Sequence, residues 1–188
     1  MMDTTATQSL VLKHTPVRQG HFLLSSGMHS PSYIELEPIV QDPVLTAAVV
    51  HTLAERFRAE QPHVVLAALG PDAILAFELA RQLGARVVFA DGPLGKRSLR
   101  PVFKVQPGER VLILIGVIVT GDSARELIRL AQAGGGRAIG VGVLIDRSGS
   151  RLEVGAPIEA LAVVDLETYF APVCPLCAAG KPLERRQE

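Results

Sequence analysis

Short apolar runs alternate with amphipathic stretches along most of the chain. Apolar residues at helical spacing predict three helices, over 42–58, 72–83 and 123–133. Four apolar runs bounded by Gly, Pro or polar residues predict buried β-strands at 64–69, 86–90, 111–119 and 138–145. Because strands of this kind alternate with helices, we expect an α/β fold with a mainly parallel sheet flanked by helices.

The first forty residues follow a different pattern. A short helix is expected through Leu12, and two short extended pieces, 21–24 and 33–36, flank a turn-rich sequence. This arrangement predicts a small hairpin cap ahead of the core.

The remaining loops predict where a ligand would bind. A polar loop with Gly and Pro at 91–101 is expected to form a mobile lid, and a last short strand is expected at 163–166. Ligands of parallel sheets bind beyond the carboxyl ends of the strands, so the loops after the four core strands are expected to hold the site.

Composition narrows the class of protein. The chain has 188 residues, of which 48% are hydrophobic, and its 19 basic side chains balance 19 acidic ones. A chain of this length fits one domain, and the neutral charge balance argues against a nucleic-acid partner. The longest apolar run is too short to cross a membrane, and the N-terminus has no apolar block, so a soluble cytoplasmic protein with no membrane partner is expected.

The two cysteines, Cys174 and Cys177, supply only half of a four-ligand zinc site. An ordinary pair of reduced cysteines in the C-terminal tail is the preferred interpretation. A zinc site shared between two subunits is the main alternative. The histidines are scattered along the sequence and are interpreted as structural or surface residues: His14, His21, His29, His51 and His63.

The segment 111–123 carries the clearest chemical signal. A buried strand enters a loop of small residues and then a helix, and the hydroxyls of Thr120 and Ser123 lie beside the unpaired amides of the helix start. Such a loop can hold a phosphate. Alternatively, Ser123 and Glu126 have the spacing of a capping box, which needs no ligand.

Several further segments together resemble a known family. They are the sequence GHFLLSSG at 20–27, SPSY at 30–33, AFELA at 76–80 and the pair Asp146 and Arg147. With the loop at 120–123, they make the chain similar to the type I phosphoribosyltransferases, and within them to the orotate phosphoribosyltransferases. The Cys-Pro-Leu-Cys sequence at 174–177 also resembles the end of some bacterial members.

The resemblance implies one phosphoribosyltransferase-like domain over 1–188. It would have a core over about 42–170, an N-terminal hood formed mainly by 15–40 and a Cys-containing tail at 171–188. It also implies a homodimer and a small phosphoribosyl or nucleotide ligand. In an active member this ligand is phosphoribosyl pyrophosphate with Mg²⁺, and it meets orotate under the hood.

The resemblance assigns phosphate binding to one loop. Thr120, Gly121, Asp122 and Ser123 occupy the positions that wrap the 5-phosphate of the ligand, and Asp122 stands where the family has a second small residue. Because Asp122 is negatively charged, it is expected to repel a phosphate.

Four other positions are assigned roles in the same way. Arg147 and the hood residue Ser26 match positions near the orotate. Lys96 and Arg100 fall in the mobile loop that contributes cations to the pyrophosphate, and they are the candidate catalytic residues.

The chain departs from the family pattern at positions that would bind the ribose and the pyrophosphate. Ile115 and Gly116 stand where the family carries two adjacent acids that hold the ribose hydroxyls. The pyrophosphate loop at 67–72 is displaced or shortened, and Gly92 replaces an expected basic residue. Asp72 and Asp91 are conceivable substitutes for the missing acids, although nothing in the sequence favours either.

The hydrogen-bond energy lost with the two acids decides between an impaired and an active protein. Charge-assisted hydrogen bonds contribute roughly 1.5 to 3 kcal/mol each, so losing two would cost about 3 to 6 kcal/mol. The sequence therefore predicts an impaired or silenced relative that retains a phosphate or nucleotide pocket and needs no cofactor. The alternative is an active orotate phosphoribosyltransferase that uses Mg²⁺ and makes orotidine monophosphate in pyrimidine biosynthesis.

Overall fold

The computed structural model describes residues 4–149 and 152–185, which form two β-sheets and six α-helices. The ends of the predicted domain, 1–3 and 186–188, lie outside the described residues. The strands are β1 (Val17–Leu23), β2 (His29–Ile34), β3 (Val64–Ala68), β4 (Arg86–Asp91), β5 (Ser98–Leu99), β6 (Arg110–Ile118), β7 (Arg137–Asp146), β8 (Ile158–Val163) and β9 (Glu184–Arg185). The helices are α1 (Thr4–His14), α2 (Glu37–Val40), α3 (Pro43–Phe57), α4 (Pro71–Leu83), α5 (Asp122–Ala133) and α6 (Pro175–Ala178).

The core sheet has the strand order β5-β4-β3-β6-β7-β8. Every pair in it is parallel except β4 with β5, which is antiparallel. The four core strands expected from the sequence correspond to β3, β4, β6 and β7. The predicted α/β fold with a mainly parallel sheet is confirmed.

Helices cover both faces of this sheet, and β6 shows how its side chains alternate. Leu112 and Leu114 pack in the cluster that contains α3 and α4, whereas Ile113 and Ile115 pack in the cluster that contains α5. Full burial of an aliphatic side chain contributes about 1.5 to 3 kcal/mol. Because both faces are buried, β6 reads in the sequence as one continuous apolar run.

The helix starts place the residues around the site. Asp42 caps α3 by accepting hydrogen bonds from the backbone N–H groups of Val44 and Leu45. The helix predicted over 72–83 begins one residue earlier, at Pro71, so Asp72 lies inside the first turn of α4. Its carboxylate is therefore directed to another partner, described below.

The hood is a second sheet with the order β2-β1-β9. β1 and β2 form the expected antiparallel hairpin, and β9 pairs with β1 in parallel through Phe22 with Glu184 and Leu23 with Arg185. The hood therefore includes part of the C-terminal tail, which the sequence pattern of 15–40 did not indicate.

Two predicted segments differ from the structure. The loop at 91–101 contains β5, whose Ser98 and Leu99 pair with the end of β4. The strand expected at 163–166 lies earlier in the structure, as β8. The sequence pattern did not show its start because Glu159 interrupts the apolar residues. Within the described residues, no helix is long and apolar enough to span a membrane.

Candidate functional site

A cleft lies between the hood and the carboxyl ends of the core strands. It consists of two adjoining cavities, of about 710 and 440 Å³. Both are lined by Leu24, Ser25, Tyr33, Leu69 and Arg97. This is the edge at which open parallel sheets bind ligands.

A carboxylate lies beside Gly116, where the family pattern has an acid that this chain lacks. Asp72 Oδ1 accepts a hydrogen bond of 3.1 Å from the backbone N–H of Gly116. A Cβ at residue 116 would lie 2.5 Å from that oxygen and 2.3 Å from Cδ1 of Leu36, so a side chain at Gly116 requires its neighbours to move. Asp72 also lines the smaller cavity. The structure thus supplies from α4 an acid next to the degenerate position in β6.

Ile115, the other degenerate position, gives the cleft an apolar wall. Its side chain is buried in the α5 cluster, and it lines the smaller cavity. Asp72 contacts the backbone of the following residue, Gly116, and Ile115 itself leaves this part of the cleft wall apolar.

The predicted phosphate loop is present, but its polar groups bond to one another. Gly121 has a φ of +81°, a left-handed conformation that favours glycine, and it precedes α5. The Thr120 hydroxyl donates to Asp122 Oδ2 at 2.7 Å. Arg125 Nη1 donates to Asp122 Oδ1 at 3.0 Å and to the Thr120 carbonyl at 2.9 Å. The Asp122 carboxylate therefore occupies the helix start, where a phosphate would otherwise be stabilised.

Arg97 occupies the other side of this helix start. Its Nη1 donates to Ser123 Oγ at 2.9 Å and to Glu126 Oε2 at 3.2 Å, and its backbone N–H donates to Glu126 Oε1 at 3.1 Å. Both side chains of the ion pair are 7% exposed. Ser123 lies within α5, so Ser123 and Glu126 bind Arg97 and do not form the capping box. Among the described residues, no acceptor lies within reach of the buried Arg97 Nε.

Arg147 is a buried cation beneath the hood. Its Nη2 donates to Ser30 Oγ at 2.9 Å and its Nη1 to the Ser32 carbonyl at 3.3 Å, so both acceptors are neutral oxygens of β2. Burial lowers the pKa of the guanidinium. Its buried Nε has no acceptor in the described part of the chain, and Arg147 lines the smaller cavity. A positive charge held by neutral partners favours an anionic ligand.

The other predicted positions lie around the cleft. Ser26 Oγ accepts from the backbone N–H of Met28 at 3.4 Å, and the neighbouring Ser25 lines the two cavities. Lys96 is exposed in the turn before β5. Arg100 Nη2 donates to Asp91 Oδ2 at 2.6 Å, and this hydrogen bond holds the pKa of the Asp91 carboxyl below its usual value.

Two arginines of the cavity lining, Arg97 and Arg185, were not predicted as site residues. Arg97 lies between Lys96 and Arg100 in the sequence, and nothing in the spacing shows which of the three side chains turns inward. Arg185 reaches the larger cavity from the C-terminal tail because β9 joins the hood. Only the three-dimensional pairing of distant strands could have shown this.

The fold is that of the type I phosphoribosyltransferases. Similar solved structures include the adenine phosphoribosyltransferase of Rhodothermus marinus, at 22% identity and a TM-score of 0.70, covering 85% of this chain and 99% of that chain. The orotate phosphoribosyltransferase of Aeropyrum pernix is 21% identical with a TM-score of 0.61, covering 84% and 93%. These likenesses show the fold.

Sequence relatives show the family within that fold. An orotate phosphoribosyltransferase of Thermus thermophilus is 42% identical over 168 residues, which span 88% of this chain and 91% of the relative. One from Caldanaerobacter subterraneus subsp. tengcongensis is 40% identical over 167 residues, spanning 89% and 88%. No model of a known protein family matches the chain. The chain belongs to the orotate phosphoribosyltransferase family.

Proposed function

We propose that this protein is an active orotate phosphoribosyltransferase in which Asp72 supplies the acid that Gly116 lacks. The reaction breaks the bond between C1 of phosphoribosyl pyrophosphate and its pyrophosphate, and forms a bond from C1 to a ring nitrogen of orotate, which releases its proton. The products are orotidine monophosphate and pyrophosphate, which places the protein in pyrimidine biosynthesis. The Asp72 carboxylate against the Gly116 N–H is the observation that carries the proposal.

The base is proposed to lie under the hood. Arg147 provides a buried positive charge with two neutral acceptors, which suits the carboxylate of orotate. Tyr33 and Leu24 line the cavity beside it, and their apolar atoms suit a planar ring.

The ribose is proposed to contact Asp72. Charge develops on the ribose during transfer, so a carboxylate held near its hydroxyls stabilises the transition state more than the ground state. Asp72 is held in place by the Gly116 N–H, and no rearrangement of α4 is required to bring it to β6.

The carboxylates that line the smaller cavity also fit Mg²⁺. This cation binds through one or two carboxylates together with substrate phosphates, and Asp72 and Glu37 line the same cavity. When bound, Mg²⁺ would neutralise charge on the pyrophosphate. Asp72 and Glu37 are the residues that would hold it.

A second candidate function is a relative that binds nucleotides without transferring the phosphoribosyl group. Two observations favour it: Asp122 fills the phosphate loop by binding Thr120, and the buried pair of Arg97 and Glu126 lies beside the same helix start. Both arrangements compete with the 5-phosphate. Ile115 also leaves one of the two acidic positions apolar.

The two functions differ in a direct assay. Purified protein is incubated with orotate, phosphoribosyl pyrophosphate and Mg²⁺, and the formation of orotidine monophosphate and pyrophosphate is followed. Turnover that falls in the variant Arg147→Met but not in the variant Arg129→Met, which alters an exposed arginine of α5, supports the enzyme. Binding of orotidine monophosphate by calorimetry without any turnover supports the second candidate.

We also propose that the protein is a homodimer in the cytoplasm. The exposed apolar side chains Ile74 and Phe77 lie on α4, with exposed fractions of 48% and 59%. Their position suits a contact between two copies. Sedimentation velocity of the wild type and of Phe77→Lys tests the dimer, and a wild-type monomer at micromolar concentration would contradict it.

A further inference from the structure

Four side chains from the hood and the tail lie close together, and none of them has a role in the proposed reaction. They are His21 of β1, His29 of β2, and Cys174 and Cys177 around the start of α6. Their ligating atoms all lie within 4.8 Å of one another. His21, His29 and Cys174 are buried, and Cys177 is exposed.

Hydrogen bonding alone does not explain this arrangement. His21 Nε2 lies 3.1 Å from His29 Nδ1, 3.5 Å from Cys174 Sγ and 3.7 Å from Cys177 Sγ. An imidazole nitrogen has one proton or one lone pair, so it cannot satisfy three such neighbours at once. Cys177 Sγ is also 3.3 Å from His29 Nδ1. All four atoms lie within 4.8 Å of one another, a closeness that donor and acceptor pairs alone do not require.

The distances match tetrahedral zinc coordination. With Zn–N of about 2.0 to 2.1 Å and Zn–S of about 2.3 Å, a tetrahedron separates two nitrogens by about 3.3 Å and a nitrogen from a sulfur by about 3.6 Å. The nitrogen pair here is at 3.1 Å, and the nitrogen–sulfur pairs are at 3.3 to 3.7 Å. Each contact is within about 0.3 Å of that expectation.

The surroundings of His21 fix the required tautomer. Its Nδ1 lies 2.9 Å from the carbonyl oxygen of Lys181. A proton on Nδ1 donates to this carbonyl and leaves the Nε2 lone pair facing the other three ligating atoms. A backbone carbonyl in this position is a common outer partner of metal-bound histidine.

We propose that His21, His29, Cys174 and Cys177 bind one structural Zn²⁺ in each chain. Four protein ligands close the coordination shell, which is the pattern of structural sites and not of catalytic ones. All four belong to one chain, so the site differs from the subunit-shared site considered from the sequence.

The ion would join the C-terminal tail to the hood hairpin. Beyond the cysteines, the tail continues to β9, which pairs with β1 and brings Arg185 to the larger cavity. On the hairpin side, the turn between His21 and His29 carries Ser25, which lines both cavities. Zinc binding would therefore fix both the tail and the turn over the cleft.

The primary experiment measures metal in the full-length protein as purified under reducing conditions. Elemental analysis and native mass spectrometry are expected to find one zinc per chain. Replacement of zinc by Co²⁺ is expected to give the visible bands of tetrahedral cobalt and a sulfur-to-cobalt charge-transfer band. Protein that folds and takes up neither zinc nor cobalt, or a mass lower by two hydrogens that shows a Cys174–Cys177 disulfide, would overturn the proposal.

Variants assign the ligands. Cys177→Ser alters the exposed ligand, so it is the variant least expected to disturb packing, and it is expected to weaken cobalt binding at least tenfold and change the charge-transfer band. His51→Gln alters an exposed histidine outside the cluster and is expected to bind cobalt as the wild type does. If Cys177→Ser leaves both the spectrum and the affinity unchanged, Cys177 is not a ligand and the proposed site is wrong. The outcome is independent of transferase activity.

Discussion

Asp72 Oδ1 lies 3.1 Å from the backbone nitrogen of Gly116, so the first turn of α4 is joined to β6 at the edge of the cleft. The contact depends on the glycine, since a Cβ at residue 116 would meet this oxygen at 2.5 Å. The small residue in β6 and the acid in α4 therefore form one structural unit. The acid that β6 lacks at residue 116 therefore has to be considered together with Asp72 of α4.

Removing the charge of Asp72 should reduce transfer without removing its hydrogen bond. In Asp72→Asn, the side-chain carbonyl can still accept from the Gly116 N–H, but the charge near the ribose is lost. A charge-assisted hydrogen bond contributes about 1.5 to 3 kcal/mol, so kcat/KM should fall roughly tenfold to a hundredfold. Steady-state kinetics with phosphoribosyl pyrophosphate as the varied substrate measure this.

A matched control is Asp165→Asn, which removes the charge of an exposed aspartate after β8. Its kcat/KM should equal that of the wild type. Equal activity of Asp72→Asn and the wild type would mean that Asp72 has only a structural role.

Restoring the family's acid at residue 116 should destabilise this chain. Gly116→Asp introduces a Cβ that would lie 2.3 Å from Leu36 and a second carboxylate beside Asp72. Overpacking costs typically about 1 to 3 kcal/mol, so the free energy of unfolding should fall by at least that amount. Urea denaturation measures the change.

The destabilisation should depend on Asp72. In the double variant Asp72→Ala with Gly116→Asp, the contact with Leu36 remains, but the contact with the Asp72 carboxylate and the like-charge repulsion are relieved, so the two changes should be non-additive. Additive effects within about 0.5 kcal/mol would show that the two positions are not coupled.

The sequence predicted those parts of the fold that depend on local pattern. The buried runs of β3 and β6 and the amphipathic α3 were expected close to their observed bounds, because each is specified by periodicity and end signals. β9 has only two residues and is formed by pairing with β1, so no local pattern could indicate it. β5 is equally short and lay within a predicted loop.

The family resemblance pointed to Ser123 and Arg147, and both line the smaller cavity, whereas their roles in binding stay predictions. Residues that reach the cleft through packing were missed. Nothing in the sequence favoured Asp72 as the substitute acid, because a sequence does not show that Gly116 leaves space for its carboxylate. His21 and His29 looked scattered, because the convergence of the hood and the tail appears only in three dimensions.

Removing the charge at residue 122 should improve phosphate binding. Asp122 accepts from Thr120 and Arg125, so Asp122→Gly releases the Thr120 hydroxyl and the Arg125 guanidinium to face an anion. Two like charges near 4 Å interact by about 4 kcal/mol at a surface-like dielectric, so an affinity gain of at least about tenfold is expected. Calorimetry with ribose 5-phosphate measures it.

The ionic strength of the buffer provides a control for this variant. The gain in affinity for ribose 5-phosphate should shrink at high salt, because exposed charges are screened within a few ångströms at about 1 M salt. An unchanged affinity in Asp122→Gly at low salt would show that the loop is not the phosphate site.

The buried ion pair of Arg97 and Glu126 should be far more important for stability than the exposed pair of Arg100 and Asp91 nearby. Both side chains of the first pair are 7% exposed, whereas those of the second are 61% and 41% exposed. Breaking a buried pair leaves an uncompensated charge and costs about 3 to 5 kcal/mol, so Arg97→Met should unfold at markedly lower urea concentration. Arg100→Met alters an arginine of the same segment and should leave the transition almost unchanged.

Since a well-packed apolar pair can replace a buried ion pair, Arg97→Met combined with Glu126→Leu should recover much of the lost stability. A double variant as unstable as Arg97→Met alone would show that the ion pair is not the cause.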